Sequence, residues 1–90
     1  MVRYFLDGVI RRAARGDREA LALLAREFRM QMVEHAEDHM ARFDIDAEDV
    51  VQNVLLALLE RALPEPPRSA CAVQWLLDCV ALFAQPDLAA

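Results

Sequence analysis

Apolar side chains recur every three or four residues along most of the chain, and no stretch alternates apolar with polar residues as half-buried strands do. Chain-breaking residues divide this pattern into four blocks, with Gly16 after the first and Pro64, Pro66 and Pro67 after the third. A proline lacks the donor N–H and clashes with the preceding turn, so these positions end a helix. The spacing predicts an all-α fold, a compact bundle of four helices in a single domain, with helices over residues 2–15, 18–43, 46–63 and 70–84.

The composition suits a small helical domain. The chain has 90 residues, 57% of them hydrophobic, and its two Gly and four Pro are too few for a turn-rich all-β domain. No apolar run approaches the roughly 20 residues that a membrane-spanning helix needs, and the first residues do not resemble a signal peptide. Two cysteines cannot form a disulfide framework, which favours a reducing compartment. We therefore expect a cytoplasmic protein with no membrane partner.

The second predicted helix carries a pair of histidines. Its core stripe advances in steps of three and four, at Leu21, Leu24, Phe28, Met32, His35 and His39. His35 and His39 lie one turn apart, a spacing that can bind a divalent metal. Ala36 stands where a zinc-protease motif requires Glu, and no third ligand is evident. We favour two partly buried bundle positions over a metal site or a pH-sensitive contact, and we predict no metal and no cofactor.

The third predicted helix has two faces of opposite character. It begins at Asp46, whose side chain can cap it. The core face comprises Val51, Val54, Leu55, Leu58 and Ala62. The other face is mostly polar, with Leu56 and Leu59 on or beside it, and an apolar residue among polar ones makes it a candidate contact surface. Its members are Asp49, Gln52, Asn53, Leu56 and Glu60.

The fourth predicted helix, capped by Ser69, is apolar nearly all round. A domain this small cannot cover every side of such a helix, so we expect a partner protein or a second copy of the chain to cover one side. The candidate partner surface comprises Leu77, Asp78 and Leu82. The other large side chains of this helix are expected in the core, including Cys71, Trp75, Cys79 and Phe83.

Charge is distributed unevenly. All ten basic residues are arginine, and residues 46–90 hold only two of them against seven acids, a net charge of −5 that repels a phosphate backbone. Near the start, five arginines stand against two aspartates. We expect this cluster to balance acids on a solvated face, with nucleic-acid contact or salt bridges to a partner as alternatives; it comprises Arg3, Arg11, Arg12, Arg15 and Arg18. No nucleophile, base and orienting group occur together, so we do not expect an enzyme.

Two segments and one residue pair carry recognisable motifs. Residues 16–36 read GDREALALLAREFRMQMVEHA, and residues 46–62 read DAEDVVQNVLLALLERA. The pair Trp75-Leu76 follows in the next helix. In this order the three resemble region 2 of bacterial RNA polymerase sigma factors of the extracytoplasmic-function type, over roughly residues 10–80. The resemblance implies the helical fold of that region.

The resemblance also implies a partner. In that family the polar face of the third helix docks on the coiled-coil clamp helices of the RNA polymerase β′ subunit. The matching residues here are Asp49, Gln52 and Leu56, with Asn53 where the family usually has Glu. These belong to the stripe that periodicity alone marks as exposed, and a leucine among polar groups suits a protein contact.

One part of the chain departs from the family. The family's next helix tends to carry Arg, Arg and Asn, which contact promoter DNA, at positions held here by Asp78, Ala81 and Leu82. We therefore expect a sigma-like domain that binds the clamp, with specific DNA binding by the chain alone weakened or lost. The alternative is a sigma-derived module outside transcription initiation, which docks on a regulator protein or forms a homodimer through the fourth helix.

Overall fold

The computed structural model describes residues 2–39 and 46–85, with side chains from Phe5 onward. These ranges contain five helices and no strand. The predicted all-α class is confirmed, but the predicted count of four helices is wrong. The helices are α1 (Val2–Ala14), α2 (Arg18–Glu27), α3 (Arg29–His39), α4 (Ala47–Leu59) and α5 (Ala72–Ala84).

The fifth helix arises because the predicted helix over 18–43 is broken at Phe28. This residue has φ −119° and ψ 0°, outside the helical region, while its ring is almost completely buried. The hydrogen-bond ladder continues across the break, since the Phe28 N–H donates to the Leu24 carbonyl at 2.9 Å. The buried residues of α3 are therefore Met32, Val33 and Ala36. The predicted core stripe instead continued from Met32 to His35 and His39. Residues 40–43 of the prediction lie outside the described residues.

The third predicted helix ends four residues early, at Leu59. Arg61 has φ 55°, its N–H donates to the Leu58 carbonyl, and the Ala62 N–H donates to the Ala57 carbonyl at 2.8 Å. This is a Schellman turn with arginine in the position that glycine usually takes. Ala62 is consequently exposed, and its predicted place on the core face is wrong. Gly16, with φ 97°, closes α1 with the same pattern of bonds, as its position predicted.

The start of α5 depends on α1. Ser69 does not cap this helix, contrary to the prediction, and the N-cap residue Cys71 makes no side-chain cap bond. Instead the Ala72 N–H donates to Asp7 Oδ1 at 2.8 Å. The neighbouring Arg11 binds Asp7 Oδ2 at 2.8 Å and donates to the carbonyls of the preceding loop, at Pro66, Pro67 and Ala70. We call this set of bonds the α1–α5 junction.

The core lies where α5 packs on α1, α3 and α4, and where α2 packs on α1 and α4. Its largest fully buried side chains are Ile10, Leu24, Met32, Val51, Val54, Leu58, Leu76 and Val80. Cys79 is buried as predicted, and burial together with the charge of Asp78 raises the pKa of its thiol. Two other predictions for α5 are wrong, because Cys71 is exposed and Phe83 is 38% exposed.

Candidate protein-interaction site

The predicted polar stripe of α4 lies on the surface. Asp49, Gln52, Asn53, Leu56 and Glu60 are all exposed, as the periodicity predicts. The opposite face is buried over the length of the helix, and it includes residues that the predicted core face omitted, at Ala47, Val50 and Ala57. The two faces are therefore cleanly separated, and α4 presents one of them to solvent.

A groove runs between this helix and α2. We call it the α2–α4 groove; its volume is about 400 Å³, and most of its surface is apolar. Leu56 and Leu59 on the α4 wall are 42% and 38% exposed, which is high for large apolar side chains. Alanines on the α2 wall keep the groove open. The lining residues are Arg18, Leu21, Ala22, Ala25, Gln52, Leu55, Leu56 and Leu59.

The groove contains only part of the predicted contact set. Gln52 and Leu56 line it, whereas the acidic and amide positions of the stripe, Asp49, Asn53 and Glu60, do not. Sequence reasoning placed Leu55 on the core face, left Leu59 beside the stripe but outside the contact set, and missed all of α2. The signal for Leu59 was present, since it follows Leu56 by three residues on a helix. The signal for α2 was not, because nothing local specifies which helix packs beside α4.

Both walls are fixed at their first turns. Asp17 caps α2 by accepting the Ala20 N–H at 3.1 Å, and its carboxylate also accepts from Arg12. These two bonds, the backbone one first, hold the pKa of Asp17 below its usual value. Asp46 caps α4 by accepting the Glu48 N–H at 2.9 Å.

Two further contacts lie near the two ends of α4. Glu48 forms an ion pair with Arg29 of α3, which holds the start of α4. At the other end, a Cβ built on Gly16 would stand 3.4 Å from Arg61 Cδ. The turn before α2 therefore adjoins the turn after α4, and Arg18 lies at that end of the groove. The groove thus combines a mostly apolar lining with one cation at one end.

The three residues of the predicted partner surface on α5 do not lie on one face of the helix. Leu77 is half-buried and lines a different groove, beside α3. Asp78 is exposed and accepts a hydrogen bond from Gln74 Nε2 at 2.9 Å, while Leu82 is 64% exposed. The three residues therefore do not form one continuous apolar patch, because the helical rotation between Leu77 and Leu82 points them in different directions.

The arginine cluster is largely paired with acids. Arg11 binds Asp7, Arg12 binds Asp17 at 3.2 Å, and Arg15 binds Glu65 at 3.1 Å; Arg18 lines the α2–α4 groove. The side chain of Arg3 lies outside the described residues. The arrangement follows the expectation that these arginines balance acids, with most of the pairs at the solvent surface.

The two histidines of α3 lie close together. His35 is half-buried as predicted, but His39 is exposed, so its predicted burial is wrong. Their ring centroids are 4.5 Å apart, and His39 Nδ1 lies 2.9 Å from the His35 carbonyl oxygen. Among residues 2–39 and 46–85, no three side chains of the metal-binding types gather around one point.

In the same ranges, no helix has the length and apolar character to cross a bilayer.

Comparisons of the chain with protein-family models, with characterised proteins and with solved structures find no match. The resemblance to sigma region 2 therefore rests on the residues quoted above. The geometry of the α2–α4 groove supplies an independent basis for a proposal about function.

Proposed function

We propose that this chain is a protein-docking domain of the sigma region 2 type, which binds the coiled-coil clamp helices of the RNA polymerase β′ subunit. One observation carries the proposal: Leu56, 42% exposed, stands beside Gln52 on the wall of an open apolar groove. The sequence resemblance assigns the contact to these two residues together with Asp49 and Asn53, which do not line the groove. Periodicity, groove geometry and resemblance thus converge on one surface.

A helical partner suits this surface. Two packed helices leave a channel between their ridges, and the side chains of a third helix can enter it. Leu55, Leu56 and Leu59 provide apolar area to bury, and Gln52 provides a hydrogen-bonding group that fixes the register of the partner. The exposed Asp49 and Asn53 extend beyond the groove as a polar rim. An apolar centre with a polar surround is the usual arrangement of an energetic hot spot.

The test is isothermal titration calorimetry of the chain against the isolated β′ clamp coiled coil. The double variant Gln52→Ala/Leu56→Ala removes one polar and one apolar group from the groove. Its matched control is Gln74→Ala/Leu82→Ala, which removes the same two residue types from exposed positions of α5. Circular dichroism establishes that both variants fold.

We expect the groove variant to bind about tenfold more weakly or worse, since truncated hot-spot residues cost at least that much. The α5 control should bind like the unmodified chain. If the unmodified chain does not bind the coiled coil, or if both double variants bind equally well, the proposal is wrong.

The second candidate function is a sigma-derived dimerisation module that acts outside transcription initiation. The observation in its favour is the apolar exposure of α5, where Leu82 is 64% and Phe83 is 38% exposed. A second copy of the chain would bury both side chains at a twofold axis. Light scattering at tens of micromolar distinguishes the candidates: a dimer that Leu82→Glu converts to a monomer supports this one, and a monomeric unmodified chain excludes it.

A further inference from the structure

A second groove lies between α3 and α5, and it shares no residue with the α2–α4 groove. Its volume is about 390 Å³. The floor is apolar, with Leu6, Phe28 and Val73 buried and Leu77 half-buried. The rim is polar and is contributed entirely by α3, at Gln31, Glu34, His35 and Asp38. We call this site the α3–α5 groove.

The rim carries negative charge that the described residues do not neutralise. Glu34 and Asp38 lie one helical turn apart, both are exposed, and neither forms an ion pair within residues 2–39 and 46–85. Among the residues that the structure describes, no arginine lines the groove. Some acids of the chain do pair with arginines, as in Arg15–Glu65 and Arg29–Glu48, whereas other exposed acids such as Asp49 form no ion pair within the described residues.

The two carboxylates also oppose the local preferences of a helix. Like charges four residues apart destabilise a helix, and Glu34 and Asp38 have that spacing. Asp38 belongs to the last turn of α3, where the negative end of the helix dipole disfavours an anion. Local rules that are broken with no compensating cation among residues 2–39 and 46–85 point to a functional surface. A cation bound at the rim would relieve both conflicts.

We propose that the α3–α5 groove binds a cationic amphipathic helix of another protein. An arginine of that helix would lay its aliphatic stem over Leu77 and direct its guanidinium at Glu34 and Asp38. An apolar side chain one turn away would enter the floor. The same carboxylates disfavour phosphate-bearing partners, so nucleic acid and anionic lipid surfaces do not fit this site.

The probe for this proposal is a synthetic amphipathic peptide of about 18 residues, long enough to form a helix. One face carries leucines at helical spacing, flanked by arginines. A matched peptide has glutamate in place of every arginine. Binding to the full chain is measured by titration calorimetry, and the site is located from amide chemical-shift changes. We expect the arginine peptide to bind and to shift residues of α3 and α5, and the glutamate peptide not to bind.

Matched variants test the rim. Asp38→Asn and Glu37→Gln each remove one charge from the last turn of α3, but only Asp38 lines the groove. We expect Asp38→Asn to weaken peptide binding about threefold, as for an exposed ion pair. The double variant Glu34→Gln/Asp38→Asn should weaken it about tenfold. Glu37→Gln should change it little. These variants remove a repulsion, so their thermal stability should not fall and weaker binding cannot be attributed to unfolding.

Three results would overturn the proposal. One is equal binding of the glutamate peptide, and another is an equal loss of affinity in Glu37→Gln and Asp38→Asn. The third is a set of shift changes confined to the α2–α4 groove. Since the two grooves share no residue, Gln52→Ala/Leu56→Ala should leave peptide binding intact, and this proposal stands or fails separately from the proposed clamp contact.

Discussion

The α1–α5 junction and the α2–α4 groove are built on opposite principles. At the junction, Asp7 and Arg11 bind the first N–H of α5 and the carbonyls of the proline-rich loop, so polar groups there are satisfied within the chain. In the groove, leucines on a rigid helix remain exposed with nothing packed on them among the described residues. The junction therefore holds the fold together, whereas the groove is surface left available for a partner. Substitutions at the junction should therefore lower the stability of the fold, whereas substitutions in the groove should weaken binding of a partner.

The largest expected difference lies within α4, between its core face and its groove wall. Leu58 is buried, and Leu58→Ala should lower the free energy of unfolding by about 2–5 kcal/mol through a cavity in the core. Leu56→Ala, two residues away and exposed, should lower it by about 1 kcal/mol or less. Urea denaturation followed by circular dichroism measures both. Equal losses would show that the groove wall is a structural element.

The next effect tests the junction. Arg11→Met keeps the aliphatic stem but removes the Arg11 donor from three loop carbonyls and from Asp7 Oδ2. We expect a loss of about 2 kcal/mol in unfolding free energy. Arg15→Met is the matched control, because Arg15 only pairs with Glu65 at an exposed position, and it should cost less than about 1 kcal/mol. A similar loss in the two variants would mean that the junction is no more than a surface ion pair.

A smaller effect follows from the charge of Asp7. Its bonds with Arg11 and then with the Ala72 N–H hold the pKa of Asp7 below the usual value. Since the folded pKa is lower than that of an unfolded aspartate, about 3.9, this contribution is present above that pH and is lost as pH falls through the folded pKa. Stability should therefore decrease in acid.

The Asp7→Asn variant separates this contribution from those of other acids. It should reduce the dependence of unfolding free energy on pH below about pH 4, and it should do so less in the Arg11→Met background, where the main cause of the low pKa is gone. The measurement is urea denaturation at a series of pH values. An unchanged dependence in Asp7→Asn would remove Asp7 from the explanation.

The contrast between the junction and the groove also shows which features of the structure the sequence predicts. The two faces of α4 were predictable because a cap at Asp46 and a regular 3.6-residue period are both local features. The Gly16 turn was predictable for the same reason. In contrast, the partner of Asp7 lies 65 residues away, and the sequence offered a better local candidate for the cap in Ser69. Only the packing of α1 against α5 brings Asp7 to that N–H.

The break at Phe28 has a similar explanation. No glycine or proline marks it, and the apolar spacing continues through it without interruption. The burial of its ring accompanies the change in backbone direction, so the break depends on tertiary packing rather than on local preference. The error then propagates: an uninterrupted period placed His39 on the core side, whereas the rotated α3 leaves it exposed. The α2 wall of the candidate site was missed because pairing of helices is likewise non-local.

The smallest effect that we expect is in DNA binding. Within the described part of the chain, Arg11, Arg12 and Arg15 already bind acidic groups, which reduces the positive charge that these three residues offer to phosphates. Asp78 is exposed where the resembling family has a cation. The half-buried Trp75 packs against the core, which limits its use as a stacking platform. The chain alone should therefore show no sub-micromolar binding to a promoter −10 single strand, and no preference over a scrambled strand, by fluorescence anisotropy at about 150 mM salt.

Two charge variants, Arg11→Met and Asp78→Arg, make the DNA-binding test more specific. Arg11→Met should not weaken residual association at low salt, because Arg11 is committed to the junction rather than to phosphates. Asp78→Arg should strengthen that association through one added phosphate contact and steepen its salt dependence, still with no preference for the −10 sequence. Sequence-preferring, sub-micromolar binding by the unmodified chain would contradict the expectation. It would show that α5 recognises promoter DNA even though Asp78 is acidic. The surface used in transcription would then include residues outside the α2–α4 groove.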